Sequence, residues 1–183
     1  EAIETGVVLA ARQIVEERNS PQETYDKLVD LYNRQPSLNV RTSESISQQA
    51  YSTPAPLAYI SSQLAGIDNK TTVYEPTAGN GMLLIGANPS KVMANELNPT
   101  RFEMLKRVMN GADLINDNAL DVEASQSFDS IIANPPFGST GETFDIYPSY
   151  STKQIDHAIA FEALDAMKDN GRAVLIVGGV MGK

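Results

Sequence analysis

"FDSIIANPPFGST", residues 128–140, ends an apolar run on an amide and follows it with two prolines and an aromatic ring. A short apolar run bounded by turn residues reads as a buried strand, so Asn134 stands at the mouth of a strand. A carboxamide oxygen and the carbonyl of the following proline, Pro135, can both accept hydrogen bonds from one NH2 group. Proline holds that carbonyl in a fixed direction because its φ is locked. Phe137 offers a flat surface on which a planar base can stack. An aromatic amine is a poor nucleophile, since its lone pair is delocalised into the ring. Two acceptors that engage both N–H bonds favour a pyramidal nitrogen with its lone pair aimed at an electrophile, which is transition-state stabilisation by fixed dipoles. The segment also reads as a proline-rich turn capping a strand, with Phe137 in the core. Asn-Pro-Pro-aromatic after a buried strand is a narrower pattern than such a turn requires.

Outward from this point, short apolar runs alternate with helical stretches. The runs are TTVYEP (71–76), KVMANE (91–96), ADLIN (112–116), FDSIIAN (128–134) and GRAVLIVGG (171–179). Helical segments are predicted near 81–87, 99–109 and 153–169, and a further helix opens at Thr53-Pro54, with Thr53 as cap, and runs to about Ala65. Such alternation indicates a parallel sheet covered by helices on both faces, and ligands bind such sheets at the carboxyl ends of the strands. Residues 2–18 have helical spacing, and "SPQE" predicts a second helix to about Arg34, with Ser20 as N-cap, Pro21 at the first position and Glu23 completing a capping box. The two helices are expected to form a hairpin without chemistry of its own. The polar, Ser-rich stretch 35–52 reads as a surface connector, and 138–152 as a long polar loop over the substrate pocket.

The chain has 183 residues, 42% hydrophobic and 20% charged, which suits one α/β domain with a small helical attachment. No apolar run approaches the roughly 18 residues of a membrane span. With no cysteine and one histidine, disulfides and thiolate or histidine-cluster metal sites are excluded; a cytoplasmic location is the expectation. The net charge of −9 argues against a broad nucleic-acid-binding face, because phosphate contacts need Lys and Arg.

Three further constellations flank the strands. In "YEPTAGNGML" (74–83) Gly79 and Gly81 allow a tight turn and close approach of a ligand to the backbone. The third glycine of the dinucleotide fingerprint is absent, so a pyrophosphate ligand is not favoured, and an ordinary strand-to-helix turn would use the same residues. Glu96 ends the next strand, and an acid there suits hydrogen bonds to two ribose hydroxyls; taken alone it also reads as a solvated acid near a turn. Asp117, in "LINDNALD", can accept from the exocyclic amine of a bound adenine or cap the turn through Ala119 and Leu120, and Asn118 competes for the role.

In this order, "YSTP" (51–54), "EPTAGNG" (75–81), "NEL" (95–97), "NDNAL" (116–120) and "NPPF" (134–137) resemble the amino-terminal half of the class I S-adenosylmethionine-dependent DNA adenine-N6 methyltransferases. The likeness is closest to the group whose cofactor motifs precede the catalytic motif, which includes type I restriction-modification subunits. It spans residues 51 to about 180 and leaves out the helices at 1–34. It implies a Rossmann-like, doubly wound, mainly parallel sheet with residues 51–183 as the cofactor-binding core; residues 1–50, read above from their own spacing as helical segment and connector, precede it as an N-terminal helical hairpin. S-adenosyl-L-methionine is the implied cofactor. Glu75, Pro76, Thr77, Gly79 and Gly81 would face its methionine part, and Glu96 its ribose. Asp117, Asn118 and Ala119 would lie at its adenine, and Tyr51, Thr53 and Pro54 would line the pocket. Asn134, Pro135, Pro136 and Phe137 would form the catalytic tetrad, Asn134 also bordering the cofactor.

The implied reaction is direct methyl transfer to N6 of an adenine flipped out of DNA, with no covalent enzyme intermediate and no metal. The Asn-Pro-Pro-aromatic device equally serves a protein glutamine or a base in RNA, and a non-catalytic cofactor-binding domain would keep the same fold. The acidic charge leans towards a non-DNA substrate; the "YSTP" helix ahead of the glycine loop leans towards DNA. The family sheet has two more strands and a recognition region after the point where this chain stops. A fragment, or a minimal version completed by another domain or subunit that supplies the DNA contacts, is therefore expected. The initial Glu also fits a processed chain or an excised piece. Tyr147 and Tyr150 are loop candidates for substrate contact, and His157 reads as a surface or packing residue.

Overall fold

The computed structural model describes residues 2–35, 52–125, 127–147 and 150–178. The connector at 36–51, and with it Tyr51, lies outside the described residues. Two helices come first, α1 (Ala2–Glu16) and α2 (Pro21–Arg34). The capping box at the start of α2 forms as the sequence predicts. Glu23 N donates to Ser20 Oγ at 3.3 Å, and Ser20 N donates to Glu23 Oε2 at 3.0 Å.

Helix α3 (Ala55–Leu64) is followed by β1 (Val73–Glu75), β2 (Val92–Asn95), α4 (Pro99–Val108), β3 (Asp113–Ile115) and β4 (Phe128–Ala133). After a hairpin of β5 (Ser139–Tyr147) and β6 (Tyr150–Gln154) come α5 (Ile155–Asp165) and β7 (Met167–Leu175). Five strands form one sheet in the order β3-β2-β1-β4-β7, with every pairing parallel. The chain works outward from β1 to β3 and then returns to β4 on the other side of β1. The order reverses between β1 and β4, and that is where a crevice opens at the carboxyl ends.

Side chains alternate across this sheet, as strand geometry requires. Val73 and Ile132 belong to the larger core, with Val8, Ala11 and Leu28 from the first two helices and Leu105 and Val108 from α4. Tyr74 and Ile131 face the opposite way, onto Ala163 of α5 and Ala166. The N-terminal helices thus share one core with the sheet. Arg12 reinforces the join by donating to the carbonyls of Leu84 and Ala87 at 2.9 and 3.2 Å.

Local detail departs from the sequence reading in four places. Thr53 does not cap α3, whose N-cap position is Pro54 with no side-chain cap bond; the Thr53 hydroxyl instead accepts from Asn134 Nδ2. The helix expected at 81–87 is a 3-10 turn at Met82–Leu84, followed by another at Pro89–Lys91. The 138–152 stretch is no open loop but the antiparallel β5–β6 hairpin, its base closed by Ile155 N donating to Gly138 O at 3.0 Å. The Thr, Phe and Ile residues of that segment favour strand, which its overall polarity concealed. Finally, α5 ends before residue 169 because the Ala166 carbonyl accepts from both Ser127 N and Phe128 N, which turns the chain directly into β7.

Because Leu28 is fully buried in the shared core, its replacement by Ala should cost about 2–5 kcal/mol. Urea unfolding should show one transition moved to lower denaturant; a separate early transition for the helices, with the main one unmoved, would contradict the shared core.

Candidate functional site

Strands β1 to β4 all point the same way, so their carboxyl ends bring Glu75, Asn95, Ile115 and Ala133 to one edge. The loops that follow hold most of the residues singled out by sequence. Gly79 and Gly81 have φ of +57° and +83°, left-handed values that L side chains rarely adopt. Gly79 is constrained a second time, since a Cβ there would come within 2.6 Å of Arg101 Nη2. The turn is pinned from β2: Ala78 N donates to Asn95 O at 2.8 Å, and Gly79 N to Glu96 Oε2 at 2.7 Å.

Glu96 is 7% exposed, and its other carboxylate oxygen accepts from Asn98 N at 2.8 Å. Each oxygen therefore bonds a backbone N–H, and a carboxylate with about four lone-pair positions retains capacity for two hydroxyl donors. Asn98 in turn caps α4, accepting from Thr100 N and Arg101 N. The acid, the glycine loop and the start of α4 form one bonded unit.

Glu75 is deeper, at 1% exposure. Burial and the nearby Glu96 push its carboxyl well above the usual range, against a smaller opposing pull from Arg101. Among the described residues its Oε2 has no hydrogen-bond partner, and neither has the buried Thr77 Oγ1 on the same loop. Pro76 is buried between them. Asp117 and Asn118 are exposed, and Ala119 is buried. Asp117 Oδ1 accepts from Asn118 N at 2.8 Å, while Asn118 Oδ1 accepts from Leu120 N at 3.3 Å. The turn-capping role falls mainly to Asn118.

At β4, Asn134 is half-buried. Its Nδ2 donates one N–H to Thr53 Oγ1 at 3.0 Å, which orients the amide, and Oδ1 is a buried acceptor without a partner among the described residues. Pro135 is buried and Pro136 half-buried, while Pro54, at the head of α3, is exposed. Phe137 is half-buried against Gly178, where an added Cβ would lie 3.2 Å from Phe137 Cβ. Gly178 N donates to Asp156 Oδ2 at 2.8 Å, so a buried carboxylate of α5 fixes the chain after β7 against the aromatic ring. His157 lies beside it, half-exposed, with Nε2 3.9 Å from Asp156 Oδ2.

Solved structures share this fold. The chain is similar to an RNA methyltransferase candidate from Pyrococcus horikoshii, at 19% identity and TM-score 0.57, over 78% of this chain and 69% of that one. It is also similar to a modification subunit of a candidate type I restriction enzyme from Vibrio vulnificus, at 15% identity and TM-score 0.56, over 87% of this chain and 40% of that one. The fold is that of the Rossmann-like class I methyltransferases. At these identities the likeness is one of fold, and the chain spans less than half of the modification subunit. No protein-family model and no curated protein matches the chain. Among the described residues no helix is long and apolar enough to cross a membrane, and no cluster of acids and histidine could hold a metal ion.

Five polar residues of this fold were given no role by the motifs: Glu4, Arg101 and Asp156 lie outside them, and Asn80 and Asn95 lie inside them. Asn95 lay in plain view beside Glu96, and its buried position at a strand end was the available signal. Nothing in the sequence pairs Asp156 with Phe137, or Glu4 with the glycine loop, because those contacts span long separations.

The raised Glu75 carboxyl carries a pH dependence. Its folded value exceeds the unfolded one near 4.5, so its contribution to stability is full below pH 4.5 and is lost as pH rises towards the raised value. Glu75→Gln should therefore gain stability over the parent progressively from pH 5 to pH 8, by roughly 1.4 kcal/mol for each pH unit by which burial raises the carboxyl. Thermal melts across that range measure the gain; a difference that does not vary with pH would show that Glu75 ionises normally.

Proposed function

We propose that this chain binds S-adenosylmethionine across the carboxyl ends of β1, β2 and β3 and transfers its methyl group to the exocyclic N6 of an adenine in DNA. The observation that carries the reading is the Asn134 amide. Its nitrogen is held by Thr53, and its oxygen is a buried acceptor with nothing to accept from among the described residues. An amine N–H is the donor that completes it.

The residues present fit the cofactor. The two left-handed glycines give backbone access for its methionine part, with Thr77 and Pro76 alongside. Glu96 retains acceptor capacity for the ribose hydroxyls, and Asp117, Asn118 and Ala119 border the adenine. When bound, the cofactor supplies a methyl group made electrophilic by the sulfonium. Asn134 Oδ1 and the Pro135 carbonyl accept both N–H bonds of the target amine and turn its lone pair towards that methyl. Pro136 stiffens the turn, and Phe137, backed by Gly178 and Asp156, stacks on the flipped base. The amine nitrogen would gain a C–N bond as the methyl's bond to sulfur breaks, the electron pair staying on sulfur to leave S-adenosylhomocysteine, and would give one proton to water.

DNA as substrate rests on the order of the motifs, with "YSTP" ahead of the glycine loop, and on likeness to a fold that a type I modification subunit shares. With a net charge of −9, most phosphate contacts would come from other domains or subunits of a larger methyltransferase. A base in RNA or a protein glutamine is the second reading, favoured by that same charge and by likeness to an RNA methyltransferase candidate.

Calorimetry should show S-adenosylmethionine binding, weakened at least about tenfold by Glu96→Ala. Asn134→Ala should lower methyl transfer by a factor of about 10² to 10³ while sparing cofactor binding. Radiolabelled transfer onto DNA, RNA and protein separates the substrates. Label recovered as N6-methyladenine in DNA supports the main reading; label on RNA or protein alone replaces it with the second.

A further inference from the structure

One carboxylate reaches this site from the opposite end of the chain. Glu4 lies in the first turn of α1, yet its hydrogen bonds run to residues 48 and 76 positions away. Ser52 Oγ donates to its Oε1 at 2.9 Å, and Asn80 Nδ2 donates to its Oε2 at 3.0 Å. Asn80 is 3% exposed and sits between the two left-handed glycines. Ser52 adjoins Thr53, whose hydroxyl holds the Asn134 amide. Glu4 is therefore the joint between the glycine loop and the segment that orients Asn134.

The chemistry of the two sides differs. On the loop itself the N–H groups of Ala78, Gly79 and Gly81 are already spent on Asn95 O, Glu96 Oε2 and Ala78 O, and N–H donors are what an anionic group such as an α-carboxylate calls for. An ammonium group needs the opposite, an acceptor and preferably an anionic one, because charge-assisted hydrogen bonds are the stronger kind. Glu4 places a carboxylate directly against that loop, and two neutral donors hold it there in a fixed orientation.

We propose that Glu4 is a cofactor-binding residue, whose carboxylate takes the α-ammonium of the methionine part of S-adenosylmethionine. The inference rests on the cofactor reading given above and adds to it a residue outside every motif. It also gives α1 a part in binding: the helix carries the carboxylate to the loop, and Arg12 anchors the helix to the far end of the same loop, at Leu84 and Ala87.

Two ligands separate the possibilities by titration calorimetry on the 183-residue chain. S-adenosylhomocysteine has the α-ammonium, and 5′-methylthioadenosine lacks the whole amino-acid part. Glu4→Gln should weaken S-adenosylhomocysteine by about tenfold to a hundredfold and leave 5′-methylthioadenosine unchanged, and Glu4→Asp should recover part of the loss. In the unaltered chain, a desamino analogue of S-adenosylhomocysteine should bind weaker than the parent ligand by a similar factor, a measurement that depends on no variant. Equal weakening of S-adenosylhomocysteine and of its desamino analogue by Glu4→Gln would mean that Glu4 only supports the loop facing the amino-acid part, and would overturn the proposal. An unchanged affinity for both would overturn it too. Absence of binding of either ligand to the unaltered chain would remove the cofactor reading and this one with it.

Discussion

The side chain of Asn95 holds together the edge on which everything else stands. It is 1% exposed, and its amide nitrogen donates to both Pro76 O and Asp117 O at 3.0 Å, while its oxygen accepts from Asp117 N at 3.1 Å. One buried amide thereby satisfies backbone groups in the loops after β1 and β3 from its own place at the end of β2. Those groups lie where strand pairing has stopped and water is largely excluded, so each would otherwise be costly to bury. The glycine turn and the Asp117 loop are held at a fixed separation as a result. A leucine of similar volume would fill the space and release both loops.

The two acids beside it divide their work by depth. Glu96 keeps its carboxylate engaged by backbone N–H groups, while Glu75, more buried and next to another acid, is driven towards its neutral form. Like charges so near each other cannot both ionise cheaply. Arg101 offsets part of the cost at Glu75 and lies against Gly79, where a Cβ would have to push its guanidinium aside. The Gly79 position is thus fixed by backbone conformation and by a guanidinium at once, which is more than a motif reading of the glycine loop conveys.

The sheet was legible because its signals are local. Each of the five apolar runs overlaps a strand, the last one, 171–179, only over its first five residues because β7 is Met167–Leu175, and the Ser20–Glu23 capping box formed as written, because both depend on neighbours within a few positions. The same was true of the edge residues Gly79, Gly81, Glu96 and Asn134, which sit at strand ends defined by those runs. Illegible features were the non-local ones. Thr53 looked like a cap and became the partner of Asn134, 81 positions away. Asp156 bonds the chain after β7, and Glu4 bonds Asn80, across separations no local pattern encodes. The β5–β6 hairpin was hidden for another reason: its residues are largely exposed, so no buried face wrote an alternating pattern into the sequence.

The attachment of α1 also bears on how the chain is handled. Val8, Ala11 and Leu28 are as buried as Val73 or Leu105, although every recognisable motif begins at residue 51 or later. An expression fragment trimmed to the motifs would keep each of them intact. It would also bare an apolar flank and deprive the turn at Leu84–Ala87 of its Arg12 contacts. Such a fragment would tend to self-associate through that flank, and its inactivity would say nothing about the chemistry of the motifs.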